Sequence, residues 1–132
     1  MVIGFNKQFP DKITAGTKKH TIREDVHNRW HAGMVMHMAT GVRTKNYNCF
    51  KLDTCKSTQH ICIFYDYPIG SKRTVVIIDN KYIYDNLCPD LKAIVRMNEL
   101  AFNDGFDSIE SFFEWFNSDF SGKLIHWTDL RY

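Results

Sequence analysis

No run of about 18 apolar residues occurs anywhere in the 132-residue chain, so no segment reads as a membrane span. Met1 to Ile13 includes Lys7, Asp11 and Lys12 and lacks the apolar stretch of a secretory leader, so no signal peptide is expected. The four cysteines, Cys49, Cys55, Cys62 and Cys88, form no CxxC or CxH pair, which argues against a structural zinc site. Free, mostly buried thiols in a reducing compartment are expected instead. His27 and His31 share i, i+4 spacing but have no Glu between them in an H-E-x-x-H arrangement, so no metal is expected there. No internal repeat, low-complexity tract or linker is visible. Residues 1–132 therefore read as a single domain of a soluble, cytoplasmic protein without a cofactor, and the 44% apolar and 14% aromatic content suffices for a core.

Charge is unevenly distributed along the chain. The formal net charge is only +2, yet residues 12–23 hold four cations and no acid, and residues 98–121 hold six acids and no cation. Residues 41–60 add Arg43, Lys45, Lys51 and Lys56 against Asp53 alone. A basic face of this kind attracts phosphate-bearing partners, although a sequence pI near 8.3 is low for a dedicated nucleic-acid binder. Lys18, Lys19, His20, Thr21 and Arg23 lie within six positions, after a stretch from Pro10 to Gly16 that reads as a short helix with Pro at its start and Gly at its end.

Hydrophobic periodicity supplies the remaining elements. Val2 to Phe9 suits a first strand, and Glu24 to His31 a short helical turn. Met34 to Thr40 reads as a strand with Met34, Met36 and Met38 on one face. Gly41 to Asn48 is turn-rich and reads as an exposed loop, in a basic stretch that extends to Lys56. His60 to Tyr65 and Thr74 to Ile78 read as strands, the second buried on both faces, with Asp79-Asn80-Lys81 as a turn into Tyr82-Ile83-Tyr84. After Pro89 the period becomes helical. Asp107 with Glu110 reads as a capping pair, and Ile109, Phe112, Phe113 and Phe116 form an aromatic stripe. Lys123 to Trp127, after Gly122, reads as a last strand. The class is α+β, with helices closing a small curved sheet or barrel.

Three elements carry a resemblance to a known family: Gly16-Thr17-Lys18-Lys19-His20-Thr21-Ile22-Arg23 after a short helix, Trp30 and Gly33 before a strand, and Glu99-Leu100-Ala101-Phe102-Asn103-Asp104-Gly105-Phe106 before a second helix. Together they resemble the ASCH domain, which is similar to the PUA fold. The resemblance implies a small PUA-like β-barrel with flanking helices around a cleft for RNA or a modified nucleoside. One bacterial branch, the N(4)-acetylcytidine amidohydrolases, uses Lys, Thr and Glu, which correspond here to Lys18, Thr21 and Asp104. Asp is one methylene shorter than Glu, so the carboxylate sits back unless the backbone compensates.

On these residue types, Lys18 would activate Thr21 as a nucleophile, Asp104 would orient water or the leaving amine, and Arg23 would hold an oxyanion or phosphate. Residues i and i+3 of a regular strand face opposite sides, so Lys18 and Thr21 converge only if the backbone bends at residues 18–20. Lys19, Arg23, Trp30, Arg43 and Lys45 complete a ligand-binding set, with Trp30 at the cleft rim and Tyr47 and Phe50 placed for base stacking. Simpler readings stand beside these: a solvated Lys18-Lys19 pair, an ordinary strand threonine, Arg23 paired with Asp25 or Asp104, Asp104-Gly105 as a helix end, and Trp115 and Trp127 in the core. The leading expectation is a binding module for RNA or a nucleotide-like ligand. An amidohydrolase of a modified nucleoside comes next, and an RNA-cleaving enzyme or an acidic protein-interaction module follows.

Overall fold

The computed structural model describes residues Met1–Tyr132 and contains eight strands and three helices. In chain order these are β1 Val2–Gly4, α1 Pro10–Thr14, β2 His20–Arg23, β3 Val35–Thr40, β4 Asn48–Thr54, β5 Ser57–Phe64, β6 Val75–Ile78, β7 Lys81–Asp85, α2 Leu91–Asn103, α3 Ile109–Trp115 and β8 Phe120–His126. The class is α+β. One sheet has the order β1-β3-β4, with β1 parallel to β3, and the other is an antiparallel sheet of order β2-β8-β5-β6-β7. Only Cys55 and Lys56 separate β4 from β5, so the chain passes almost directly from one sheet to the other. Both sheets feed one apolar core, which holds Ile3, Met36 and Met38 from the first and Ile22, Ile61 and Leu124 from the second. No helix is long and apolar enough to cross a membrane.

Side-chain alternation explains the strands. Met36 and Met38 are fully buried while Val35 and His37 face outward, as the period of two requires. Val75, Val76 and Ile78 are buried in β6, which lies between β5 and β7. Asp79 and Asn80, at φ 48° and 65°, make the tight turn into β7. In α2, Asp90 caps the first turn by accepting from the Ala93 amide at 2.7 Å, and Met97, Leu100 and Ala101 bury the face that packs on β7.

The structure corrects several expectations. Residues 48–54 are strand β4 rather than part of a loop. This strand lies at the sheet edge, where exposed Asn48 and Thr54 and the half-buried Lys51–Asp53 ion pair cost little. A register shift leaves Phe50 without a cross-strand partner, and its ring packs on Phe5 at 6.2 Å rather than standing free for base stacking. Residues 24–31 form no helical turn. Asp25 instead accepts from the Arg29 and Trp30 amides at 2.7 and 3.0 Å, an Asx-type turn that satisfies the backbone without a helix. The cap of α3 is Ser108, in a reciprocal box with Ser111, and not Asp107 with Glu110. Asp107 pairs with Lys12 at 3.0 Å instead. The first strand stops at Gly4, and the last begins at Phe120, before Gly122. Of the four free cysteines only Cys55 is buried, while Cys49 and Cys88 are exposed.

Gly122 marks the tightest approach in the second sheet. A Cβ there would lie 2.3 Å from the Arg23 carbonyl oxygen and 2.8 Å from the Phe120 ring, so β2 and β8 pack as they do only without a side chain. Gly122→Ala is expected to lower stability by about 2–3 kcal/mol, read as a fall in thermal midpoint. An unchanged midpoint would show that β2 can shift freely.

Candidate functional site

The end of α1 places the basic segment against the end of α2. After α1 the amides of Thr17 and Lys18 both donate to the Lys12 carbonyl, at 3.0 and 3.1 Å, so the chain turns tightly before β2 begins at His20. The Lys19 amide then donates to the Asn103 carbonyl at 2.7 Å, fastening this turn to the last residue of α2. Residues 17–19 are therefore outside the strand, and the backbone bend needed to bring Lys18 and Thr21 to one side is present. From His20 onward the alternation is regular, which puts Thr21 and Arg23 on one face and His20 and Ile22 on the other.

Lys18, Thr21, Arg23 and Asp104 line a single cavity of about 290 Å3. Its volume is at the small end of the range for small-molecule sites. Its walls are aromatic, from Phe5, Phe9, Phe106, Trp115, Phe116 and Phe120. Lys18 is 2% exposed and donates from Nζ to the Asp104 main-chain oxygen, with the Asp104 carboxylate Oδ1 at 3.4 Å. The shorter side chain thus reaches the site because the backbone of Asp104 itself comes to the amine. Lys18 Nζ also lies 4.6 Å from the Phe9 ring centroid, a cation–π contact. Gly105, at φ +97°, makes this possible: a Cβ there would come within 2.9 Å of both Lys18 Cδ and Phe9 Cδ1.

Burial pushes the Lys18 amine below its ordinary value, and the charges of Arg23 and Lys12 act in the same direction, while the charge and hydrogen bond of Asp104 oppose them. An ammonium has three donors, and two are taken by Asp104. No third hydrogen bond from Lys18 Nζ is present, and Lys18 lies on the cavity lining. Arg23 donates from Nε to Thr21 Oγ1 at 3.2 Å and from Nη2 to the Gly4 carbonyl at 2.5 Å, and its guanidinium lies 4.9 Å from the Phe5 centroid. It pairs with neither Asp25 nor Asp104. Asp25 pairs instead with Lys123 at 2.9 Å. The Thr21 hydroxyl is hydrogen-bonded by Arg23 and not by Lys18. With Glu24 also on the lining, two cations face two carboxylates, so the pocket has no net formal charge when Lys18 is protonated.

The other expected residues lie elsewhere. Trp30 is buried in the core at 9% exposure, where its carbonyl accepts from Lys123 at 2.9 Å. Trp115, expected in the core, is 47% exposed on the cavity lining, with its ring 5.7 Å from both Phe9 and Phe106. The two tryptophans have exchanged roles. Arg43 and Lys45 are exposed in the β3–β4 loop and do not line the cavity, and Lys19 is half-buried and also outside it. His27 and His31 are exposed and lie on no helix, and no three His, Cys, Asp or Glu side chains gather as a metal site.

Sequence reasoning missed a buried polar cluster behind Asp104. His20 Nδ1 lies 3.1 Å from Asp104 Oδ1, and its Nε2 lies 2.6 Å from the Tyr132 hydroxyl. His126, across from His20 on β8, bonds through Nε2 to Gln59 Oε1 at 3.0 Å, and its Nδ1 is buried without a partner. Strand alternation in His20-Thr21-Ile22-Arg23 was the available signal for an inward His20. Burial, assisted by His20 and Arg131, lowers the His126 pKa to about 3. The unfolded chain takes up that proton near pH 6.5 and the folded chain does not, so His126 removes stability as pH falls from 6.5 towards 3. His126→Gln, which keeps a donor for Gln59, is expected to flatten the acid limb of a urea-unfolding series. An unaltered limb would assign acid sensitivity to other groups.

Comparison with protein-family models, with curated proteins and with solved structures gave no match to this chain.

Proposed function

We propose that this chain is an ASCH-like, PUA-like domain that binds a nucleoside or a single RNA base in the cavity between α1, β2 and α3. The supporting observation is the convergence of Lys18, Thr21, Arg23 and Asp104 in one aromatic-walled pocket. The half-exposed Trp115 ring offers a face on which a planar base can stack, and the unbonded Lys18 N–H and the remaining Arg23 N–H groups suit exocyclic carbonyl oxygens. The two sheets would form the PUA-like barrel around this cleft.

Charge separates the nucleoside reading from a phosphate-tracking one. Arg43 and Lys45 are outside the cavity, and the cations inside are matched by Asp104 and Glu24. A neutral nucleoside should therefore bind with little dependence on salt, whereas several phosphate contacts would give a steep one. Titrating the protein with N(4)-acetylcytidine, cytidine, cytidine monophosphate and short RNA at two ionic strengths tests this. The expected result is nucleoside binding that quenches Trp115, is largely salt-independent and gains little from the phosphate. Binding confined to RNA with a steep salt slope would move the site to the outer basic loop.

A second reading, hydrolysis of an amide on a modified cytidine, rests on the depressed Lys18 amine sharing the pocket with the Thr21 hydroxyl and the Asp104 carboxylate. Neutral Lys18 would take the Thr21 proton as Oγ1 attacks the acyl carbon. Arg23 would hold the oxyanion, and the proton would pass to the nitrogen as the C–N bond breaks, with water then releasing the acyl group. Thr21 must first exchange its Arg23 hydrogen bond for one to Lys18. Turnover of N(4)-acetylcytidine by the wild type, lost in Thr21→Val, would establish this reading, and binding without turnover would reject it.

A further inference from the structure

We propose that His20 is a positioning residue for the pocket floor, holding the Asp104 carboxylate, and through it Lys18 Nζ, in a tautomer that the carboxylate selects and the Tyr132 hydroxyl accommodates. His20 is fully buried and does not line the cavity, so any influence it has on a ligand passes through Asp104. A carboxylate only accepts, so the 3.1 Å contact to Asp104 Oδ1 places the hydrogen on Nδ1. Nε2 then has the lone pair, and the Tyr132 hydroxyl 2.6 Å away donates to it. Asn103 Nδ2 donates in turn to the Tyr132 oxygen at 3.1 Å. The chain of donors runs in one direction, Asn103 to Tyr132 to His20 to Asp104, and meets the Lys18 ammonium at the same carboxylate oxygen.

Tyr132 is held in register from the other end of the network. Its amide donates to Gln59 Oε1 at 2.9 Å, and its carbonyl accepts from Gln59 Nε2 at 2.7 Å, so a residue of β5 sets where the hydroxyl stands. The C-terminal residue and β5 thereby act on a pocket that neither lines. Around Lys18 the charged neighbours are Asp104 after α2, Arg23 on β2 and Lys12 on α1. Around His20 they are Asp104, Lys18 and Lys19, with neutral His126 facing it from β8 at a ring separation of 5.2 Å. Of these only Asp104 favours a charged Lys18, and the His20 N–H holds that carboxylate beside the amine. Removing the His20 donor therefore frees the carboxylate to turn away from the ammonium and lowers the titration midpoint of Lys18.

The inference deepens the reading of Lys18 and Asp104 as the functional floor, but its test needs no ligand. Long-range 15N–1H NMR of the wild type reads the His20 tautomer, and the 13Cε shift of Lys18, assigned with Lys18→Met, reads its titration. The expected wild-type pattern is a protonated Nδ1 and a bare Nε2 at His20. His20→Leu is expected to lower the Lys18 midpoint by about one pH unit, and His20→Asn, whose amide can donate near the Nδ1 position, to restore it. Tyr132→Phe is expected to keep the proton on Nδ1, because the Asp104 carboxylate that selects it remains. An Nε2-protonated His20 in the wild type, or a Lys18 midpoint indifferent to both His20 variants, would overturn the proposal and leave His20 a satisfied core histidine. Failure of nucleosides to bind, with tautomer and titration as expected, would reject the proposed ligand and leave the positioning role standing.

Discussion

Asp104→Ala is expected to lower the free energy of unfolding by about 3–5 kcal/mol near neutral pH, the cost of leaving a buried charge without its partner. Lys18 and Asp104 are 2% and 3% exposed, so water cannot replace the lost carboxylate. The main-chain oxygen that Lys18 also uses survives the substitution, as does the aromatic contact with Phe9. The amine responds by giving up its proton at lower pH, which makes the deficit pH-dependent with a definite sign. In the wild type the folded amine already sits below its ordinary value of 10.5. Between the folded value and 10.5 the unfolded chain binds more protons, so stability contributed by Lys18 rises as pH rises through that window and is least below it. Removing Asp104 extends the window downward. Urea unfolding at pH 7 and at pH 9.5 should show a smaller deficit for Asp104→Ala at the higher pH. A double variant, Lys18→Met with Asp104→Leu, should recover much of the loss, because neither charge is then buried. A deficit below about 1 kcal/mol that does not vary with pH would show that the pair is solvated in solution.

Lys18→Met is expected to weaken nucleoside binding at least about 100-fold, roughly 2.7 kcal/mol, while the chain stays folded. Methionine approximates the length and apolar contacts of the lysine stem, so the packing against Phe9 and the close approach to Gly105 survive. Asp104 keeps the His20 N–H as a donor. The specific loss is the amine N–H that Asp104 leaves unbonded. Calorimetric titration with N(4)-acetylcytidine, alongside a thermal melt of the same sample, separates lost recognition from lost fold. Retained affinity in a folded Lys18→Met variant would place recognition on Arg23 and the aromatic walls alone.

The elements with strong period were legible in the chain: the methionine strand β3, the β-branched β6 with its Asp79-Asn80 turn, and the Phe112 stripe of α3 each bury the face that alternation assigns. So was the need for a bend before Thr21, since stereochemistry alone forbids Lys18 and Thr21 to converge on a straight strand, although the bend lies at residues 17–19 and His20 already belongs to β2. What was illegible depends on contacts distant in sequence. Lys18 beside Lys19 has the composition of a solvated pair, and it is the tight turn onto the Lys12 carbonyl, the Lys19 amide bond to Asn103 and the contact with Asp104 that place Lys18 inside. Trp30 has polar neighbours in sequence and Trp115 aromatic ones, which favours the rim for the first and the core for the second, and the reverse placement follows from how α3 ends beside Phe9. β4 alternates polar residues suited to an exposed edge, which weakens its strand signal. Tyr132 and His20 lie 112 positions apart, so no local pattern links them.

The central claim is that one ligand occupies the cavity bounded by Lys18, Thr21, Arg23, Asp104 and Trp115. A 1H–15N correlation spectrum of the protein titrated with N(4)-acetylcytidine locates the ligand directly. The expected result is a saturable set of shifts confined to residues 18–23, 104–106 and the Trp115 indole, absent in Lys18→Met. Shifts centred on Arg43 and Lys45, or on the outer face of α2, would contradict it.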